Sequence, residues 1–216
     1  MNPNDSPMTA EAMAQALDHH PDYKVLRRLV TKQAFHPTAP GQVLQRGVVL
    51  DTETTGLNVD ADQVIELGMV VFEFDPEQGT IHRVLQVFDE LEDPLRPIPP
   101  ETTAIHHITD DMVRGKRIDD KQVMAIIDSV SVVIAHNASF DRPFVEKRWP
   151  GFEQKQWACS IRDIDWKSEG LSSAKLEFLL QTQGIFYEAH RAETDCWALL
   201  HLLAMVLPQS QQPALL

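Results

Sequence analysis

Two carboxylates, Asp51 and Glu53, stand two residues apart at the end of a short apolar run, Val48-Val49-Leu50. Side chains two apart on a strand share a face. A pair of carboxylates leaving a buried strand on one face repel each other and lose hydration. Protonation, a basic partner or a divalent cation must offset that. Hard oxygen ligands at such a point suit Mg²⁺ or Mn²⁺, although an acidic turn facing water would satisfy the same two residues. A third acid, Asp141, closes the segment His136-Asn137-Ala138-Ser139-Phe140-Asp141 where a helix begins. A carboxylate in a first helical turn also complements the helix dipole, and Ser139 is the cap expected there. His190 and Asp195 bracket the start of the last helix as His-x-x-x-x-Asp. Asp195 can equally serve a helix N-terminus, and His190 is one of nine histidines. No cysteine stands at zinc-like spacing to His190, which argues against a structural zinc site.

These residues need elements to hold them. Residues 48–50 read as a buried strand ended by a loop at Gly56. Residues 64–74 are β-branched and apolar, residues 75–79 form a turn, and residues 81–88 return as the second arm of a hairpin. Residues 130–135 and 157–161 supply two more strands. A loop rich in proline (Pro94, Pro97, Pro99, Pro100) precedes short helical pieces at 101–105, 110–114 and 121–128. A helix starts near Ser139, where Pro143 is tolerated only in or near the first turn. Residues 173–183 and 192–207 are helices, the latter with an apolar stripe of Leu199, Leu202, Leu203 and Val206. A hairpin followed by alternating strands and helices predicts an α/β sandwich with a mixed sheet. Residues 1–46 differ: a helix from Thr9 and a second helical stretch over 23–30 precede the breakers Pro37, Pro40 and Gly41.

A chain of 216 residues fits one domain with a short appendage. Its two cysteines, Cys159 and Cys196, are too few for a disulfide scaffold. With 19 Lys+Arg against 32 Asp+Glu the net charge is −13, which excludes a broad basic surface as the main means of holding nucleic acid. It leaves room for a small site where metal ions neutralise carboxylates. The N-terminus lacks the basic start and apolar stretch of a signal peptide, and the longest apolar run, 198–207, is interrupted by His201 and too short to span a bilayer. The expectation is a soluble, cytoplasmic protein with no membrane contact.

Taken in order, DTETTG at 51–56, HNASFD at 136–141 and HRAETD at 190–195 resemble the DEDDh family of 3′→5′ exonucleases. That class includes the proofreading epsilon subunit of the bacterial replicative polymerase, RNase T and oligoribonuclease. Ile65-Glu66-Leu67-Gly68, Ile105-His106-His107-Ile108-Thr109 and the leucines Leu176 and Leu179 support the match, which spans residues 47–207; the epsilon-like branch fits best. The resemblance implies a ribonuclease H-like fold for residues 47–207, and with the elements read above this gives a mixed five-stranded sheet flanked by helices, preceded by a helical N-terminal extension that the resemblance does not cover. The chain thus divides into an extension (1–46), an exonuclease domain (47–207) and a tail (208–216). It further implies a two-metal mechanism in which Asp51, Glu53, Asp141 and Asp195 bind two Mg²⁺ or Mn²⁺ ions and His190 is the general base. Four carboxylates and two such ions balance in charge. By the same resemblance, backbone at Thr54 holds the 3′-hydroxyl and Leu57 packs on the terminal base, while His106 and Phe140 line the pocket and Glu66 is a structural support. The substrate expected is a single-stranded or frayed DNA 3′ end, digested to nucleoside 5′-monophosphates in proofreading or repair. An exoribonuclease acting on short RNA is the alternative. A non-catalytic, polymerase-associated module is a reading of another class, disfavoured because none of the five site residues is substituted. A polymerase or sliding clamp is the expected protein partner, and the tail at 209–216, with Leu215-Leu216, faintly resembles a clamp-binding peptide. The N-terminal helices are expected to dock on the nuclease domain, with Lys24, Arg27, Arg28 and Lys32 as a solvated face.

Overall fold

The computed structural model describes residues 8–216; the first seven residues of the N-terminal extension lie outside the described residues. The chain opens with α1 (Ala10–Asp18) and a two-residue strand, β1 (Arg27–Arg28). It then builds a mixed sheet from β2 (Gln45–Thr54), β3 (Val64–Asp75), β4 (Thr80–Leu91), β5 (Val132–Ala135) and β6 (Gln156–Cys159), in the order β4-β3-β2-β5-β6. β3 runs antiparallel to β2 and β4, while β5 and β6 run parallel to β2. Eleven of the twelve β3 residues are buried, as expected for a β-branched strand covered on both faces. Alternation along β2 sorts the two cores. Val49 faces α6 (Leu176–Thr182) and α7 (Ala192–Leu203), whereas Val48 and Leu50 face α4 (Asp120–Ser129) and α5 (Ala138–Arg148). This is the α/β sandwich read from the sequence. Two short helices, α2 (Pro100–His106) and α3 (Asp110–Val113), follow the proline-rich loop, and a 3₁₀ turn (Pro150–Gln154) precedes β6.

One contact sets the position of α7. A Cβ on Gly68 would lie 2.4 Å from the Ala192 carbonyl carbon. Only glycine lets the first turn of α7 rest directly on β3, and Gly68 is the cross-strand partner of Asp51. The glycine therefore decides how close the last helix comes to the end of β2.

The N-terminal segment departs from expectation. Thr9 caps α1 as read, accepting from the Ala12 N–H at 3.2 Å, but no side chain of α1 is buried. The stretch over 23–30 is extended, not helical. Arg27–Arg28 pairs in parallel with β7 (Ile185–Phe186), and Leu29 and Phe35 pack on the core beneath α7. Further along, the Phe35 N–H donates to His82 and the Val84 N–H donates to Gln33, along the outer strand β4. An unpaired sheet edge exposes donors and acceptors, and this strap satisfies part of it. Tertiary pairing thus overrides local helix propensity here. Docking occurs, but through an extended strap in place of a second helix.

Smaller corrections follow the same logic. Asn137, not Ser139, occupies the cap position of α5, and the Ser139 hydroxyl donates to Asn137 Oδ1 at 2.8 Å. Pro143 lies in the second turn of that helix, deeper than expected. α7 stops at Leu203, so Val206 leaves the apolar stripe and is 55% exposed. The tail folds back: Ala214 is buried and its N–H donates to Met205, while buried Glu169 accepts from the Gln209 and Ser210 N–H groups. Among the described residues, no helix is long and apolar enough to cross a membrane.

Candidate active site

The acidic site is assembled at the end of β2. Asp51 and Glu53 continue the Val49 face of the strand, and α7 delivers Asp195 from above that face. Oxygen atoms of Asp51, Glu53 and Asp195 all lie within 4.8 Å of one another. Asp141 comes from α5 on the other side. Its Oδ1 accepts from the backbone N–H of Thr52 at 3.0 Å and from the Thr52 hydroxyl at 2.8 Å. Thr52 lies between Asp51 and Glu53, so the fourth carboxylate is anchored beside the other three without joining their tightest cluster.

Such a cluster is electrostatically costly. Burial, then the neighbouring charges of Asp141, Asp195 and Glu53, push the Asp51 carboxyl well above the usual carboxylate range. Burial and the charge of Asp195 push Glu53 up to about 8. Burial pushes Asp141 up to about 7 against the downward pull of the Thr52 hydrogen bonds. Asp195 is raised by burial too. Among the described residues, no cationic side chain bonds Asp51 or Glu53. The donor set is all oxygen, convergent and short of positive charge, which fits hard divalent cations.

Asp195 does two jobs. Its Oδ1 accepts from the Tyr187 hydroxyl at 2.9 Å, and its Oδ2 accepts from the backbone N–H groups of His190 at 2.7 Å and Arg191 at 3.2 Å. It satisfies donors at the start of α7 while facing Asp51, so the cap and ligand readings of this residue are compatible. His190 sits on the loop before α7 with φ +66°, its ring exposed. The bond from its N–H to Asp195 supports that left-handed backbone.

Glu66 is 0% exposed and lies directly across from Glu53. Like charges opposite one another destabilise a strand pair, and Arg191 relieves this one. Its Nη2 and Nε donate to Glu66 Oε1 at 2.5 and 2.9 Å, and the Ala192 N–H donates to Oε2 at 3.0 Å. Tyr187 and Arg191 are the supports that sequence reasoning missed. Arg191 lies inside HRAETD, so its place in that segment was an available signal; Tyr187 carried none.

The residues expected to form the end-binding pocket are placed unevenly. Thr54 is buried just after a register shift in β2, its hydroxyl donating to the Gly56 carbonyl at 2.6 Å. Leu57 is 83% exposed at the tip of the following loop. His106 is buried at the end of α2. Its Nδ1 accepts from the Ile108 N–H at 3.0 Å, its Nε2 has no partner among the described residues, and burial lowers its pKa. Phe140 is half-buried against Phe144, the ring centroids 5.2 Å apart. His136, whose ring was not singled out, has Nδ1 2.8 Å from the Ser160 hydroxyl, and burial lowers its pKa to about 4.

Residues 48–203 match the sequence model of the Exonuclease (RNase_T) family. DNA polymerase III subunit epsilon of Treponema pallidum (strain Nichols) is 32% identical over 170 residues, covering 73% of this chain and 74% of that protein. Exodeoxyribonuclease 10 of Escherichia coli (strain K12) is 29% identical over 170 residues, covering 75% and 69% respectively. Other similar proteins are much longer PolC-type DNA polymerases III, of which the chain spans 7–12%. Among solved structures, Exonuclease X in complex with 5′ overhanging duplex DNA superposes with a TM-score of 0.55 at 25% identity, covering 78% of this chain and 98% of that one.

Proposed function

The chain belongs to the exonuclease family and is a 3′→5′ exonuclease, and we propose that it releases nucleoside 5′-monophosphates one at a time from single-stranded or frayed DNA 3′ ends. The observation carrying this reading is the convergence of Asp51, Glu53 and Asp195 oxygens within 4.8 Å, with Asp141 tied beside them through Thr52. We assign Asp51, Glu53, Asp141 and Asp195 as the ligands of two Mg²⁺ or Mn²⁺ ions. Such ions supply charge neutralisation and Lewis-acid assistance to an in-line phosphoryl displacement.

The chain's own groups do the rest. His190 accepts the proton of the attacking water at an imidazole nitrogen, a task suited to imidazole near neutral pH. Its backbone anchor on Asp195 keeps the ring beside the acids, and exposure lets it pass the proton to solvent. Backbone at Thr54 receives the 3′-hydroxyl, Leu57 lies against the terminal base, and His106 and Phe140 bound the pocket. Tyr187 and Arg191 hold Asp195 and Glu66 so that the ligand oxygens keep their spacing.

We place the nuclease unit at residues 47–207, between an extension (1–46) and a tail (208–216), in a cytoplasmic protein. DNA is favoured because the similar proteins carry DNA in their names, and a DNA polymerase partner because one of them is a polymerase subunit. A clamp contact through residues 209–216 would first require that tail to leave the core. The test is parallel digestion of single-stranded DNA, duplex DNA, a mismatched primer and RNA, with 3′-hydroxyl or 3′-phosphate ends. The reading expects mononucleotides, no digestion in chelator, a block by 3′-phosphate and preference for DNA. Internal fragments from a circular single strand would overturn it.

A further inference from the structure

Positive charge is scarce in this chain, and its placement is uneven. The N-terminal cations are partly spent within the fold: Arg27 pairs with Asp18 and Glu11, and Arg28 with Glu188. A second group surrounds a cleft of about 500 Å³ between the loop after β2, the proline-rich loop and the end of α5. Lys116, Arg117, Lys147 and Arg148 line it, and Arg96 and Arg114 line a shallower depression that shares Asp93 and Leu95 with it.

The cleft adjoins the acidic site. Val64, in its wall, pairs with Thr54, and Arg96 donates to the Thr55 hydroxyl at 2.7 Å. Asp141 and Lys147 lie six residues apart on α5, a separation of about 9 Å at the helical rise. Two of its acids are paired, Glu92 with Arg148 and Asp62 with Arg96, while Asp93, held by the Leu95 and Gly115 N–H groups, keeps its charge. Lys147 Nζ donates to the Val59 and Asp60 carbonyls, which leave its charge uncompensated. Lys116 has no ion-pair partner among the described residues. Arg114 and Arg117 hold only exposed i,i+3 pairs, which are weak and readily exchanged. Leu95, 89% exposed with φ +56°, projects between the two depressions.

We propose that this cleft holds the phosphodiester backbone of nucleic acid extending away from the 3′ end in the acidic site, with Lys116 and Arg117 as its main contacts. The proposal rests on the exonuclease reading of that site and explains how a chain of net charge −13 holds a polyanion: contact is concentrated in one groove beside the acidic site.

The test is the double variant Lys116→Glu/Arg117→Glu, which bonds none of the four acids. Fluorescence anisotropy in Mg²⁺ would follow single-stranded and recessed-end duplex DNA, each with phosphorothioate-protected 3′ ends. Turnover of the p-nitrophenyl ester of thymidine 5′-monophosphate, which has no backbone to reach the cleft, reports the acidic site separately. Affinity should weaken about tenfold and the salt slope fall by about two, with ester turnover unchanged. Weakening on both DNAs assigns the groove to the digested strand, and weakening on duplex alone assigns it to the complement; either supports the proposal. Unchanged affinity on both would overturn it, as would an equal loss in the control Lys24→Glu/Lys32→Glu. A wild-type protein that digests nothing would defeat the exonuclease reading, while the anisotropy still judges the groove.

Discussion

The four carboxylates and His190, the base proposed for them, are built in opposite ways. Asp51 and Glu53 ride on a strand whose preceding residues are fully buried, and Asp141 and Asp195 on the first turns of two packed helices. His190 projects from a loop, exposed, in a left-handed backbone conformation. Groups that must gather repelling charge need rigid supports that do not yield to the repulsion. A group that must exchange protons with water needs access more than confinement. The two regions should therefore respond differently to the same insult.

The largest expected effect is at the rigid end. Asp51→Ala should lower turnover by about 10³-fold or more, since ligand loss removes several kcal/mol of transition-state stabilisation. The metal-free variant should unfold at the same or a higher temperature than wild type, because one member of a repelling set is gone. A metal-free variant that melts well below wild type would show that Asp51 is a structural group. His190→Ala should cost about 10²–10⁴-fold in rate while keeping the thermal shift given by Mn²⁺. If that shift vanished too, the distinction between support and exposure would collapse.

The third expectation concerns pH. Glu53 and Asp141 hold their protons up to about 8 and about 7 when folded and metal-free, far above their unfolded values. Over that interval the folded state binds more protons, so their contribution to stability is present at low pH and lost as pH rises through 7 to 8. Metal-free protein should thus melt at a lower temperature at pH 8.5 than at pH 6, and saturating Mg²⁺ should remove most of the difference. A metal-free melting temperature rising over the same interval would contradict the uncompensated charge. The smallest effect belongs to Leu57→Ala. Stability should change by less than about 0.5 kcal/mol, because the side chain is exposed, and any loss should appear in KM for oligonucleotides; denaturant melts and steady-state kinetics check the two halves.

The sheet was legible because residues 48–50 and 64–74 are β-branched runs covered on both faces, a signal that needs no partner to read. The ordered segments around Asp51, Asp141 and Asp195 were legible for another reason: each acid alone also fits a turn or a helix start, and only the three segments in order resemble the exonuclease family. What escaped depends on partners distant in sequence. Residues 23–30 have acceptable helix formers, and only Gly184, Ile185 and Phe186 make them a strand. Arg191 reads as surface charge until Glu66 is placed across from Glu53. The cationic cleft draws on positions 96, 114–117 and 147–148, which no local window joins. Ser139 and Asn137 are both good caps, and propensity alone did not choose between them.

The strap has a consequence for the order in which the molecule is made. The β3–β4 hairpin is local and forms from neighbouring residues, but Arg27 waits for Ile185, 158 residues further along the chain. Contacts of such sequence separation close slowly because loop entropy precedes their reward. A chain emerging from the ribosome therefore has its hairpin and the Asp51 strand long before β7 arrives to meet the strap. The segment that β7 anchors runs directly into Tyr187 and His190. The His190 loop and Asp195 therefore join the β2 acids late, and a chain truncated before β7 would carry Asp51 and Glu53 without them.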